Sequence, residues 1–237
     1  MRVAIVSRTF ATKRGDVAAL DRMSLRAGPG EIVAVVGPSG CGKTTLLELV
    51  CGLQAPDSGA VHADPAALMP QRDLLLPWLS AIDNAGLALR ARGVPRAQAR
   101  AAAAPWLERF GLGGFERFRP AELSGGMRQR VSFLRTLLAG KPVLALDEPF
   151  AALDAITRLE MQSWLGHVLA REPRTVVMVT HDVEEAVMLA DRVVVMSTRP
   201  GRALAEIAVG LSRPRHRTDP ALVALREDAL KALGVSG

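Results

Sequence analysis

Residues 31–50 read EIVAVVGPSGCGKTTLLELV, and their order decides the fold. A valine-rich run, Ile32 to Val36, leads into Gly37, Pro38, Ser39, Gly40, Cys41, Gly42, Lys43 and Thr44, and then into Thr45 and the apolar-periodic LLELV. This is G-x-x-x-x-G-K-[ST] in the setting it requires, with a strand before it and a helix after it. A triphosphate must be wrapped by backbone N–H groups at close range, which favours residues that tolerate φ > 0 and lack Cβ. The helix that follows turns its positive end toward the same anion. Lys43 is then placed to reach the β- and γ-phosphates, and the Thr44 hydroxyl to ligate Mg²⁺.

Further apolar runs bounded by turn signals occur at Val143–Leu146, Thr175–Val179 and Val193–Met196, short and valine-rich as buried parallel strands are. Helical patterns lie between them, which predicts an α/β core with ligands beyond the carboxyl ends of the strands. The middle, from about Arg72 to Ala139, has long helical patterns and no valine-rich run. It reads as a helical subdomain inserted into the core, with Arg90–Ala104 helical by propensity.

The 237 residues, 49% of them hydrophobic, suffice for a full core. No run of eighteen apolar residues occurs, so no membrane span is expected, and the start MRVAIVSRTF does not read as a secretory signal. A cytoplasmic location is expected. Cys41 and Cys51, a loop and the end of a helix apart, are too distant to pair. The net charge of +6 raises the question of nucleic acid or lipid partners, but the arginines at 90–135 and 199–217 are scattered and read as solvated faces. With 4% aromatics and no Tyr, base-stacking platforms are not expected.

Two further motifs carry chemistry. In VLALDEP, Val143–Pro149, an apolar strand ends in two carboxylates whose side chains point to opposite sides, so they cannot share one task. Asp147 suits the Mg²⁺ shell; Glu148 suits orienting or deprotonating the attacking water. In LSGGMRQR, Leu123–Arg130, the residues Ser124, Gly125 and Gly126 offer a hydroxyl and exposed N–H groups at a helix start, a second anion site in one small chain. Two chains packed head to tail by two-fold symmetry would bring each such site to the other chain's nucleotide.

Together these motifs, in this order and over nearly the whole chain, resemble the ATP-binding cassette family. The resemblance implies a P-loop NTPase core of ABC type, with an inserted helical subdomain and a peripheral antiparallel β part. It implies one domain, with residues 1–71 and 140–237 as the α/β catalytic core and 72–139 as the helical subdomain. Gln71 matches the glutamine loop that touches Mg²⁺ or its water. Asp154 matches the loop that crosses to the partner chain. His181 matches the switch histidine at the γ-phosphate, and Phe10 the aromatic that stacks on adenine. ATP and Mg²⁺ are the implied ligands, and a second copy of the chain the implied partner.

Two departures stand out: the stretch between Ser58 and Met69 is short, as if one small hairpin were trimmed, and Pro70 precedes Gln71 where an aromatic or aliphatic residue is more common. RDLLLPW, GMRQR, THDVEEAVMLADRVVVMSTRPGR and SRPRHRTDP are similar to the importer branch for nitrate, sulfonates or taurine, and for pyrimidine precursors of thiamine. That implies a peripheral ATPase on the cytoplasmic face of the membrane of a bacterium. Its partners would be separate transmembrane permease subunits and, indirectly, an extracytoplasmic solute-binding protein. The alternatives are an exporter subunit and a soluble cassette ATPase acting on nucleic acid. Exporters generally carry a fused membrane span, ribosomal cassettes a tandem copy and charged linker, and DNA-repair cassettes a long coiled coil. None of these is present, and no nucleic-acid partner is expected.

Overall fold

The computed structural model describes all residues except Ala152, Glu172, Pro173, Ser236 and Gly237. Along the chain run β1 (Arg2–Thr12), β2 (Gly15–Arg26), β3 (Ile32–Val36), α1 (Lys43–Val50), β4 (Ser58–His62) and β5 (Ala66–Met69). Then come α2 (Ala81–Ala85), α3 (Leu87–Ala91), α4 (Arg96–Arg109) and α5 (Gly125–Leu138). The remainder is β6 (Val143–Asp147), α6 (Ala155–Arg171), β7 (Thr175–Thr180), α7 (Val183–Leu189), β8 (Arg192–Met196), β9 (Ala203–Ala208) and α8 (Pro220–Ala232).

The valine-rich runs become neighbours in a six-stranded sheet of order β5-β6-β7-β3-β8-β9, parallel except for the antiparallel edge strand β9. Both faces are covered, and the side-chain period of two sorts each strand between two cores. Val33, Val35, Val143, Ala145, Val177, Val179, Val194 and Met196 face α1 and the strands β1 and β2. Ile32, Ala34, Val36, Leu144, Leu146, Val176, Met178, Val193 and Val195 face the helices on the other side. Burial on both faces is why these strands read as continuous apolar runs, and each fully buried valine or leucine contributes about 1.5–3 kcal/mol. The peripheral antiparallel part is a second, three-stranded sheet of order β2-β1-β4. Only residues 63–65 separate its last strand from β5, which enters the parallel sheet.

The expected helix over Arg90–Ala104 is broken. Gly93 adopts φ +87° and Val94 precedes Pro95, which disfavours helical backbone at Val94, so α3 stops at Ala91 and α4 starts at Arg96.

The reading of the arginines as solvated faces is corrected at Arg135 and Arg215, whereas Arg96 and Arg100 stay exposed and also bind a carboxylate. Arg96 and Arg100 both grip Asp83, with Nη2–Oδ2 distances of 2.6 and 2.7 Å, and hold its carboxyl well below the usual carboxylate range. Arg135 donates to the carbonyls of Asp73 and Leu74, at 2.7 and 2.8 Å. Arg215, in the C-terminal tail, is 9% exposed and donates to the carbonyls of Val187, Ala190 and Leu211. It thereby satisfies the otherwise unpaired end of α7. Burial lowers its pKa to about 10, with Arg213 nearby adding to the effect. Arg215→Ala should therefore cost about 1.5–3 kcal/mol, the range for hydrogen bonds to a charged group, and Lys cannot reproduce the fork of donors. Urea unfolding is the check, and an unchanged midpoint would contradict the assignment.

Cys41 and Cys51 are free thiols. No helix among the described residues is long and apolar enough to cross a membrane.

Candidate active site: a cleft at the carboxyl edge of the sheet

The parallel strands all end at the same edge, and the polar residues singled out in the sequence follow their ends. Gly37 follows β3, Asp147 closes β6, His181 follows β7, and Gln71 comes two residues after Met69, the end of β5. Open α/β sheets bind ligands at this edge.

The phosphate loop is locked by its own glycines. Gly42 has φ +105°, and a Cβ there would lie 2.6 Å from the Ala19 carbonyl oxygen and 2.9 Å from Leu20 Cδ2. Only glycine lets β2 approach this closely. The next residue opens α1. The Lys43 side chain, 5% exposed, folds back so that Nζ donates to the carbonyls of Gly37 (2.8 Å) and Pro38 (3.1 Å) and stands 3.7 Å from Glu148 Oε1. Thr44 Oγ1 donates to Asp147 Oδ2 at 2.9 Å. Burial raises the Asp147 pKa, while the Thr44 bond and the Lys43 charge pull the other way.

Glu148 is the meeting point. Its Oε2 accepts from Gln71 Nε2 at 3.1 Å and lies 3.1 Å from His181 Nδ1. Glu148 is one residue past the end of β6 and has φ +43°, so its direction is set by a left-handed turn rather than by the strand alternation expected from the sequence. Such backbone in a non-glycine residue costs about 1–3 kcal/mol and persists where its surroundings hold it. Here the holding contacts are Glu148 N to the Val179 carbonyl at 2.9 Å and the two bonds to the carboxylate.

A cleft of about 390 Å³ joins Phe10, Val17 and Ala19 on the antiparallel sheet to Ser39, Gly40, Gly42, Lys43, Thr44 and Thr45, with Gln71, Glu148 and Arg199 at its walls. Phe10 pairs with Val17 across β1 and β2, and the Arg8 guanidinium sits 4.9 Å from the centre of its ring. A larger hollow of about 540 Å³ lies between α6 and the tail around Arg213–Arg217, away from the phosphate loop.

The remaining sequence candidates lie outside that cleft. Gly37, Pro38 and His181 line an adjoining hollow together with Leu230 and Leu233 near the end of α8. Cys41 is buried behind the loop. The Ser124 hydroxyl accepts from Met127 N at 3.2 Å and caps α5, and Ser124 itself is exposed. Gly125 meets Leu153, and Gly126 sits so near Thr157 that a Cβ would come within 2.7 Å of its methyl. Asp154 is exposed and caps α6, accepting from Ile156 N and Thr157 N at 3.1 Å each. The SGG turn and the segment 153–157 therefore touch each other, on a surface that does not include the chain's own phosphate loop.

Sequence reading missed Val17, Ala19, Arg199 and Glu185. For the first two the available signal was the pairing of β2 with the strand carrying Phe10; Arg199 had the turn STRPGR after a valine-rich run. Glu185, in the first turn of α7, is buried. Its Oε2 accepts from Thr180 Oγ1 at 3.0 Å, the same hydroxyl accepts from Asp182 N, and burial pushes its pKa up to about 8.

The sequence profile described as ABC transporter matches residues 20–151. The taurine import ATP-binding protein of Chromobacterium violaceum is 45% identical over 90% of this chain and 88% of its own. The formylaminopyrimidine import ATP-binding protein of Halalkalibacterium halodurans is 44% identical over 80% of this chain and 78% of its own. Among solved structures, an ATP-binding cassette dimer in a post-hydrolysis state, bound to ADP and phosphate, superposes with a TM-score of 0.77 at 27% identity, covering 89% of this chain and 99% of that one. A phosphate loop, a carboxylate pair, a glutamine and a histidine gathered at one sheet edge thus accompany likeness along nearly the full length, and the chain belongs to the ABC transporter family of ATP-binding cassettes.

Proposed function

We propose that this chain is the ATP-hydrolysing subunit of an importer, working as a head-to-tail pair and coupling closure around ATP to uptake through separate permease subunits. The observation that carries the reading is the convergence of Gln71 and His181 on Glu148, beside Lys43 and the Thr44–Asp147 pair. The names of the relatives supply the direction of transport and the solute class: taurine-like sulfonates, or pyrimidine precursors of thiamine. The chain acts at the cytoplasmic face of the membrane, and an extracytoplasmic solute-binding protein delivers the solute. Residues 72–139 form the helical subdomain and the rest the catalytic core.

In this reading Phe10 stacks on adenine, and the loop from Gly37 to Thr45 holds the phosphates. Lys43 exchanges the Gly37 and Pro38 carbonyls for phosphate oxygens, which also removes it from Glu148. The freed carboxylate orients a water and accepts its proton, while Gln71 and His181 fix its direction. Thr44, Asp147 and Gln71 supply hard oxygen donors, two of them already 2.9 Å apart. That set, with Asp147 as its one carboxylate, fits Mg²⁺, which is held through one or two carboxylates together with substrate phosphates and water. When bound, Mg²⁺ neutralises charge on the β- and γ-phosphates. Ser124, Gly125, Gly126 and Asp154 act on the nucleotide held by the partner chain.

Lys43→Ala should weaken ATP binding and hydrolysis together, because the charge contact is lost in ground and transition states alike. Titration calorimetry with ATP and Mg²⁺ is the check, and unchanged affinity would remove Lys43 from the ground-state complex. Co-purification with an integral membrane protein supports the importer, whereas ATPase activity that rises with DNA or RNA would overturn it.

A further inference from the structure

Five parallel strands end at the active edge, and only four of them, β5, β6, β7 and β3, carry the residues used above. The fifth, β8, pairs with β3 in parallel register and ends at Met196, and the turn after it delivers Arg199 to the wall of the cleft. We propose that Arg199 is a further ATP-binding residue, placing its guanidinium on phosphate oxygens of the nucleotide; this rests on the ATP-site reading above.

The turn is built against the phosphate loop. Gly201 has no room for a side chain: a Cβ there would lie 2.3 Å from the Cys41 carbonyl oxygen and 2.0 Å from Met196 Cε. Gly201 N donates to the Ala19 carbonyl at 2.9 Å, and Asp21 N donates to the Gly201 carbonyl at 3.1 Å, which ties the turn to β2. Arg202 pairs with Asp21, and the Ser197 hydroxyl closes the turn from inside by donating to Thr198 and Pro200 carbonyls and accepting from Arg202 N. Arg202 is thereby occupied. Arg199, two residues before the immovable glycine, is exposed.

Charge supplies the second argument. Of the charged side chains lining the cleft, Lys43 stands against Glu148, with Asp147 directly behind Thr44. Among the described residues lining the cleft, the charges of Lys43 and Glu148 offset each other, and Arg199 supplies the net positive charge that the protein itself turns toward the phosphates. Arginine is suited to phosphate because its planar fork donates two parallel hydrogen bonds.

The test compares wild type, Arg199→Ala and Arg199→Lys by calorimetric titration with ATP, ADP and adenosine, with Lys43→Ala as reference. Arg199→Ala should bind ATP about ten-fold more weakly, roughly 1.4 kcal/mol. The loss should shrink at high salt, Lys should recover part of it, and adenosine binding should be unchanged. Without nucleotide, Arg199→Ala should melt at the wild-type temperature and show a smaller stabilisation by ATP. A lower melting temperature without nucleotide, with normal ATP affinity, would make Arg199 structural and overturn the proposal. So would ATP affinity within two-fold of wild type, or an equal loss for adenosine. Wild type that fails to bind ATP would instead overturn the ATP site itself, which keeps the two failures apart.

Discussion

Glu148→Gln protein should bind ATP with an affinity close to wild type and turn it over about 10²–10⁴ times more slowly, the usual contribution of a positioned general base. The substitution keeps the side chain's shape. Its amide oxygen can still accept from Gln71, so the left-handed turn at φ +43° remains supported. What disappears is the proton-accepting carboxylate, together with the charge 3.7 Å from Lys43 Nζ. That charge competes with phosphate for the lysine, so removing it does not weaken ATP binding. A ground state held intact and a transition state deprived of its base give lower kcat with little change in substrate binding. The closed pair should then persist on ATP and elute as a dimer. Hydrolysis at the wild-type rate in the assembled transporter would show that Glu148 is not the group that activates water.

What could be read in advance follows from chain separation. The strand, loop and helix at 31–50 are contiguous, so periodicity and glycine placement suffice to identify them. The carboxylate pair of 147 and 148 is likewise local, and its apolar run marks a strand buried on both faces. Gln71 and His181 are different: nothing in their own surroundings sets them apart, and only the resemblance to a family marks them. Their convergence on Glu148 spans 77 and 33 residues and depends on the strand order β5-β6-β7-β3, which no local pattern encodes. The turn at Glu148 escapes a sequence reading for a related reason. Alternation holds along the strand only to Asp147, and the backbone of the next residue is fixed by the Val179 carbonyl of the neighbouring strand. The arginines fail the same way. Arg215 looks like one of several cations in a polar tail, and only the arrival of the end of α7 beneath it makes it a buried donor. Local grammar specifies elements and the phosphate loop; the order of strands in the sheet assembles the site.

Ser124→Arg should bind ATP through its own loop at Gly37 yet fail to dimerise or hydrolyse, which separates two roles for the SGG turn. In the single chain, the Ser124 hydroxyl caps α5 by accepting from Met127 N, and losing such a cap costs about 1 kcal/mol of stability. If capping were the whole role, the variant would be slightly less stable and otherwise normal. The surface around the turn speaks for more. Ser124 and Asp154 are exposed, and Leu153 touches Gly125, so the SGG turn and the segment 153–157 form one continuous face. Within one chain neither lines the cleft that holds Lys43. In the proposed head-to-tail pair that face would meet the partner's nucleotide, and an arginine at 124 would occupy the space of the γ-phosphate. Mixing with Lys43→Ala sharpens the test. In the heterodimer the altered turn of one chain faces the altered loop of the other, so both defects fall in one composite site and the opposite site keeps a sound loop and a sound turn. Partial recovery of ATPase activity on mixing is the expected result, limited by any need for both sites to fire. Ser124→Arg protein that retains full activity in the transporter would remove the turn from the active site and the paired-chain mechanism with it.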